Sequence, residues 1–199
     1  MSGVRIYPNF NHELDLQEYW WNKLRTKGGV FIEVGANVGV YTIALASLFD
    51  VVYAIEPYYA EQLRTNIKDY GVDNVVVIEA AAWDFNGSVV IGIARYDDGT
   101  AVPKVGIPGT VVKSIKIDDV VNKPFRLLKI DVEGEAIHVL RGMTRLLSTS
   151  SGFAQIEVHN HAESHGTYLF MQKYGWKLHE TLHERASGDK YHAHKVFVK

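Results

Sequence analysis

The chain has 199 residues, 47% of them hydrophobic, enough to bury about two-thirds of the unfolded surface in one domain, 1–199, without covalent staples. Its 21 basic side chains nearly balance 23 acidic ones, so no global charge selects a nucleic-acid groove or an anionic membrane. The absence of cysteine excludes disulfides, thiolate catalysis, zinc knuckles and iron–sulfur clusters.

Met1 to Phe10 lacks a basic stretch followed by an apolar core, and no run approaches the roughly 18 apolar residues of a membrane span; the expectation is a cytoplasmic protein. His12 to Lys27 carries Leu14, Trp20, Trp21 and Leu24 at mixed helical spacing and stops at Gly28-Gly29, which predicts a helix within an N-terminal segment over residues 1–28. Val30 to Val34 is apolar without alternation, as in a strand covered on both faces. Gly35-Ala36-Asn37-Val38-Gly39 then turns the chain into a helix through about Phe49. A strand at Val51 to Ile55, a helix at Tyr58 to Tyr70 and a strand at Val75 to Ala81 follow, the rhythm of right-handed parallel crossovers. Residues 84–119 break that rhythm with an Asn86-Gly87 turn, β-rich Ser88 to Ala94, a Gly/Pro-rich loop from Asp97 to Gly109 and β-rich Thr110 to Ile117. The rhythm resumes with a strand at Leu127 to Asp131, a helix at Glu133 to Leu147 and a strand at Phe153 to Val158. A helix is predicted at Thr167 to Tyr174, and an antiparallel pair, Trp176 to Leu182 with Tyr191 to Val198, is split by a turn at Ser187-Gly188-Asp189. The fold class is therefore α/β and Rossmann-like, with a mostly parallel sheet, helices on both faces and a C-terminal antiparallel hairpin.

Gly35 and Gly39 between a buried strand and a helix let backbone N–H groups approach a ligand, and Asn37 tolerates a positive φ there. Glu56 ends the second strand, where a doubly wound fold places the acid that accepts hydrogen bonds from ribose hydroxyls. Together they imply an adenosine ligand. The loop does not match the G-x-G-x-x-G that seats a pyrophosphate on a helix N-terminus, so a dinucleotide is disfavoured. Glu33, in a strand that dehydrogenases keep apolar, suits a cofactor bearing an ammonium and a sulfonium; S-adenosylmethionine has both.

Val30 to Thr42, then Ala54-Ile55-Glu56-Pro57, then Leu128-Lys129-Ile130-Asp131-Val132-Glu133-Gly134 with Val139-Leu140-Arg141-Gly142, resemble the FkbM-type S-adenosylmethionine-dependent methyltransferases. The resemblance implies a class I methyltransferase sheet of about seven strands and methyl transfer, commonly onto a hydroxyl of a small-molecule or glycan acceptor. RNA or protein acceptors and a non-catalytic cofactor-binding module are the alternatives. Carried over by position, Glu33, Gly35, Asn37 and Gly39 hold the methionine part and Glu56 the ribose. Ala82 and Trp83 border adenine, with core packing the other reading of Trp83. Where the family usually has Glu-Gly-Ala-Glu this chain reads Glu133-Gly134-Glu135-Ala136, so the second acid is displaced by one position, about 100° on a helix.

Asp131 and Glu133 at the mouth of the fourth strand are the acid/base candidates; Glu133 also reads as a helix N-terminal acid. Glu157 and His159 follow the fifth strand and His161 and His165 lie in the next loop. This set has no defined coordination spacing, so no metal is assigned, and His159 is read as touching substrate or acting as a base. His192 and His194 alternate on the last strand, read as an exposed edge.

Overall fold

The computed structural model describes residues 13–95, 101–187 and 190–199. Helix α1 (Leu14–Lys23) precedes β1 (Val30–Val34), α2 (Val40–Leu45) with a 3₁₀ turn at Ala46–Leu48, β2 (Val51–Ile55), α3 (Ala60–Asp69) and β3 (Val75–Ile78). Four strands follow, β4 (Ala81–Ala82), β5 (Gly87–Arg95), β6 (Ala101–Val105) and β7 (Thr110–Ile115), then the single turn α4 (Ile117–Val120). The last third comprises β8 (Leu127–Ile130), α5 (Ala136–Arg141), α6 (Thr144–Thr149), β9 (Phe153–Val158), α7 (His161–Lys173), β10 (Lys177–Ser187) and β11 (Lys190–Val198). No helix among the described residues is long and apolar enough to cross a membrane.

Seven strands form one sheet in the order β10-β11-β9-β8-β1-β2-β3, and four form a second, β4-β7-β5-β6. In the large sheet β3, β2, β1, β8 and β9 run parallel, and β11 is antiparallel to both of its neighbours. After β3 the chain returns to the other side of β1, so the order reverses between β1 and β8; ligands of open α/β sheets bind beyond the strand ends at such a point.

Alternate residues of each strand face opposite sides. Ile32, Leu128 and Ile156 pack with Val139, Leu140 and Leu146 of α5 and α6, whereas Phe31 and Leu127 pack with Trp20 and Leu45 of α1 and α2. Each such side chain contributes about 1.5–3 kcal/mol by burial. Toward the strand carboxyl ends the second face turns polar. Glu33 pairs in register with Lys129, Lys129 with Gln155, and Glu157 with His194, and all five are buried. Trp20 fits this face because its Nε1 donates to Gln155 Oε1, as a buried indole N–H requires.

Several elements differ from the sequence expectation. Ala101–Val105 is a strand inside the stretch read as a Gly/Pro-rich loop; β6 lies at the edge of its sheet, where Pro103 removes no ladder bond that the sheet depends on. Ala81 and Ala82 leave the third strand to pair with Ser114 and Ile115 in the second sheet. The single helix expected over Glu133 to Leu147 is two, because Glu133 and Gly134 are left-handed, with φ of 54° and 103°, and the chain breaks again at Gly142. A Cβ on Gly142 would lie 1.9 Å from the Trp83 carbonyl oxygen. Helix α7 starts at His161 rather than Thr167, with the Asn160 side chain accepting from Glu163 N at 2.8 Å. His161 and His165 are thus helical, not in a loop. The reading of His192 and His194 as an exposed edge is also corrected: β10 is the edge strand, β11 lies between β10 and β9, and His194 is fully buried. The N-terminal segment before residue 13 and the Gly188-Asp189 turn lie outside the described residues.

Candidate active site

The loop after β1 is shaped by left-handed backbone at Gly35 (φ 78°) and Asn37 (φ 51°). A Cβ on Gly35 would stand 1.8 Å from the Asp131 carbonyl oxygen, so only glycine lets the loop rest on the end of β8. Gly35 N and Ala36 N donate to the Ile55 carbonyl at 2.9 and 3.2 Å, tying the loop to the end of β2 as well. Glu56, the next residue, is buried and accepts from Asn37 N at 2.9 Å, Tyr58 N at 2.7 Å and Tyr59 N at 3.0 Å. Those bonds use three of a carboxylate's four or so acceptor positions. One position on Oε2 is left for a ligand hydroxyl.

These groups border a cleft of about 190 Å³ at the switch point. Gly35, Asn37 and Glu56 line one part, Ala82, Trp83 and Ile91 another, Val102, Pro103 and Val105 of β6 the cover, and Asp131, Glu133 and Glu135 the far end. The Trp83 ring stacks on His138 with centroids 4.2 Å apart and planes 7° from parallel, and His138 Nδ1 lies 2.9 Å from Asp84 Oδ2. Trp83 is therefore both packed and part of the cleft wall. Among the described residues the lining has four carboxylates, Glu56, Asp131, Glu133 and Glu135, and no lysine or arginine. Lys129 against Asp131, and Lys104 acting on Glu133 and Glu135, offset part of this charge from behind the wall, but the charged groups that face a ligand are acidic and favour a cation over a phosphate.

Asp131 receives a hydrogen bond from Lys129 Nζ at 3.0 Å; the ammonium is buried and stands 4.5 Å from the centre of the Tyr41 ring. Burial pushes the Asp131 carboxyl above its ordinary range, Lys129 opposes this and Glu157 adds to it. Burial also raises Glu133, with His159 opposing and Asp131 and Glu157 adding. Burial raises Glu135 too, against the attraction of His138. The displaced acid is thus part of the cleft wall. The 100° helical rotation expected for it does not apply, because the segment before Ala136 is not helical.

Three residues singled out from sequence do not line the cleft. Glu33 lies beneath its floor, accepting from Thr42 Oγ1, and is pushed up to about 7 by burial, against the pull of Lys129. Gly39 serves packing: a Cβ there would meet Leu63 Cδ1 at 2.6 Å. His159 stands behind Glu133, its Nδ1 3.8 Å from Glu133 Oε2 and its Nε2 3.8 Å from Glu157 Oε1. Sequence reasoning missed Glu163, which accepts from Ala136 N at 3.1 Å and His159 N at 2.8 Å and so joins the start of α5 to the end of β9. The signal was present in Asn160-x-x-Glu163, a helix-start pattern. It also passed over Lys129, visible as a charge inside an otherwise apolar strand.

A family model for the methyltransferase FkbM domain matches residues 33–178. The chain belongs to the FkbM methyltransferase family. No curated protein sequence matches it. Among solved structures, methyltransferase FkbM from Methylobacillus flagellatus KT is similar at 16% identity and a TM-score of 0.56, over 84% of this chain and 43% of that one. This FkbM-family chain thus spans less than half the length of that relative. Precorrin-6y C5,15-methyltransferase from Geobacter metallireducens GS-15 is similar at 15% identity and a TM-score of 0.60, over 98% of this chain and 94% of that one. TYW2 of M. jannaschii, solved in complex with AdoMet, is similar at 14% identity and a TM-score of 0.52, over 98% of this chain and 78% of that one. At these identities the likeness is one of fold.

Proposed function

We propose that this FkbM-family domain transfers a methyl group from S-adenosylmethionine to a hydroxyl of a small molecule or glycan. The observation that carries the reading is that, among the described residues, every charged side chain lining the cleft at the switch point is acidic, which suits a donor bearing an ammonium and a sulfonium and disfavours a pyrophosphate. S-adenosylmethionine, when bound, supplies an electrophilic methyl on positively charged sulfur. Gly35 and Asn37 shape the loop against its amino-acid part, Glu56 offers its free acceptor position to a ribose hydroxyl, and Trp83 gives the adenine an apolar wall. With three N–H bonds already on Glu56, one ribose hydroxyl takes the free position and the other must displace the Asn37 N–H or find another partner.

Positioning supplies most of the rate of methyl transfer, because the acceptor atom must stand about 3 Å from the methyl and in line with the leaving sulfur. Asp131 takes the acceptor's proton as its oxygen bonds to carbon. A carboxyl raised by burial is a better base near neutral pH than an ordinary aspartate, and Lys129 keeps it ionisable. Glu133, on its left-handed backbone, orients the hydroxyl from the other side. The apolar Val102, Pro103 and Val105 cover the reaction and exclude water.

The test is incubation with labelled S-adenosylmethionine and separated small-molecule, glycan, RNA and protein fractions of a cell extract. Label in the small-molecule or glycan fraction is expected. Label confined to RNA or protein would overturn the acceptor, and saturable donor binding with no label anywhere would make the domain a non-catalytic binding module.

A further inference from the structure

Glu157 near the end of β9, His159 just beyond that strand and His192 of β11 bring one carboxylate oxygen and two ring nitrogens within 4.8 Å of one another. The β9–β11 pairing makes the cluster: Val158 faces Ala193 and Glu157 faces His194, so His192 falls beside the residue that follows β9. No local spacing could reveal this, because His192 comes from a strand far downstream.

Ordinary pairing accounts for only part of the cluster. Glu157 accepts from His192 Nε2, and although burial works against its charge, that bond together with His194 and Lys129 holds it below the usual carboxylate range. His159 Nε2, by contrast, is buried without a hydrogen-bond partner. Its distance of 3.8 Å to Glu157 Oε1 is too long for a hydrogen bond. Donors held by one ion at about 2.0–2.2 Å in a tetrahedral array stand roughly 3.3 Å apart, within reach of a small side-chain adjustment. On the opposite side of the same ring, Glu133 Oε2 lies 3.8 Å from Nδ1, beyond hydrogen-bond reach as the ring stands but on the side from which a carboxylate orients a metal-bound imidazole once the ring shifts into its ligand position.

We propose that Glu157, His159 and His192 bind a divalent first-row transition-metal ion of the zinc and cobalt class, with Glu133 as the orienting partner of His159. Two imidazoles and one carboxylate select such an ion over magnesium or calcium, and three protein ligands leave at least one position for water or an acceptor oxygen. The site stands on its own geometry and does not depend on the identity of the methyl donor. Its link to the cleft runs through Glu133, which lines the cleft on one side and faces His159 on the other. A neighbouring trio, Glu13, His183 and His194, has the same donor types, but its Nε2 atoms already stand against carboxylates, His183 Nε2 with Asp15 Oδ2 at 2.5 Å and His194 Nε2 with Glu13 Oε1 at 3.1 Å, and it serves as the comparison in the test.

The experiment is titration of the chelator-stripped full chain with Co²⁺, read by visible absorption, and then displacement by Zn²⁺. One equivalent of Co²⁺ with a low-symmetry visible spectrum is expected. His192→Ala and Glu157→Gln should each weaken it by about 100-fold or more, as losing a ligand must exceed the 10–100-fold cost of losing an orienting partner. His183→Ala should leave it unchanged. Zn²⁺ should raise the melting temperature of the parent chain but not of His192→Ala, and circular dichroism with S-adenosylhomocysteine titration verifies that each variant is folded. Absence of Co²⁺ binding in the folded parent, equal affinity in folded His192→Ala, or loss of binding in folded His183→Ala alone would each overturn the assignment.

Discussion

The two ends of the cleft are built on different principles. At the proposed donor end Gly35, Asn37 and Glu56 come from two neighbouring strand ends, and backbone N–H groups tie the loop to the Ile55 carbonyl and the Glu56 carboxylate. At the proposed acceptor end Asp131 and Glu133 depend on side chains rather than backbone: the buried Lys129 ammonium two residues before Asp131, the β6 cover, and His159 held through Glu163. An end held by backbone N–H groups around one carboxylate tolerates little change in shape. An end built from buried ionisable groups responds chiefly to charge, since each partner's removal leaves a charge unbalanced.

That contrast can be broken most severely at Asp131. Asp131→Asn should lower kcat by about 10²–10⁴-fold while leaving the affinity for S-adenosylhomocysteine within roughly threefold; steady-state kinetics beside calorimetry check this, and a parallel loss of affinity would erase the division between the ends. At the donor end, Gly35→Ala forces a Cβ against the Asp131 carbonyl and strains a left-handed residue. It should cost about 3 kcal/mol or more, a fall of roughly 6–12 °C in melting temperature for a chain of this size. An unchanged melting temperature would show that the loop can lift from β8.

A third test uses pH. Glu33 is pushed up to about 7 by burial from an ordinary 4.5, so between those values the native chain holds a proton that the unfolded chain releases. The stability from this group therefore falls as pH rises through the window. Glu33→Gln removes that slope and should gain on the order of 3 kcal/mol relative to the parent from pH 4.5 to 8, at 1.36 kcal/mol per unit. Denaturant curves at several pH values measure it, and a difference that stays constant across the window would contradict the burial of a protonated Glu33. The smallest effect is expected at Trp83. Trp83→Leu keeps an apolar wall but loses the ring stacked on His138, and should weaken S-adenosylhomocysteine by about tenfold; unaltered affinity would leave Trp83 to packing alone.

The same contrast explains what the sequence could tell. The parallel core and part of the proposed donor end were legible because each signal is short: a fully buried strand at Val30–Val34, a glycine bend, and an acid before a proline. Of the residues expected to hold the methionine and ribose parts of the donor, Gly35, Asn37 and Glu56 reach the cleft while Glu33 and Gly39 do not. At the other end of the cleft, the sequence marked only Asp131 and Glu133 among the lining residues. Val102 and Pro103 sat in a stretch whose Gly/Pro content hides an edge strand, and although Gly134 marks a turn, nothing in the sequence marks the left-handed backbone of Glu133. His192 and His194 resembled an exposed edge, because strand alternation shows which residues share a face but not which strands lie alongside. Long-range pairing put β11 inside the sheet and its histidines beside Glu157.

The central claim is that the cleft beside Glu56 holds the methyl donor. Calorimetric titration of the parent chain and of Glu56→Ala with S-adenosylhomocysteine tests it most directly. The account predicts one saturable site in the parent, weakened at least about tenfold in a folded Glu56→Ala, as loss of a charge-assisted hydrogen bond requires. Equal affinity in both proteins, or no binding to the parent, would contradict it.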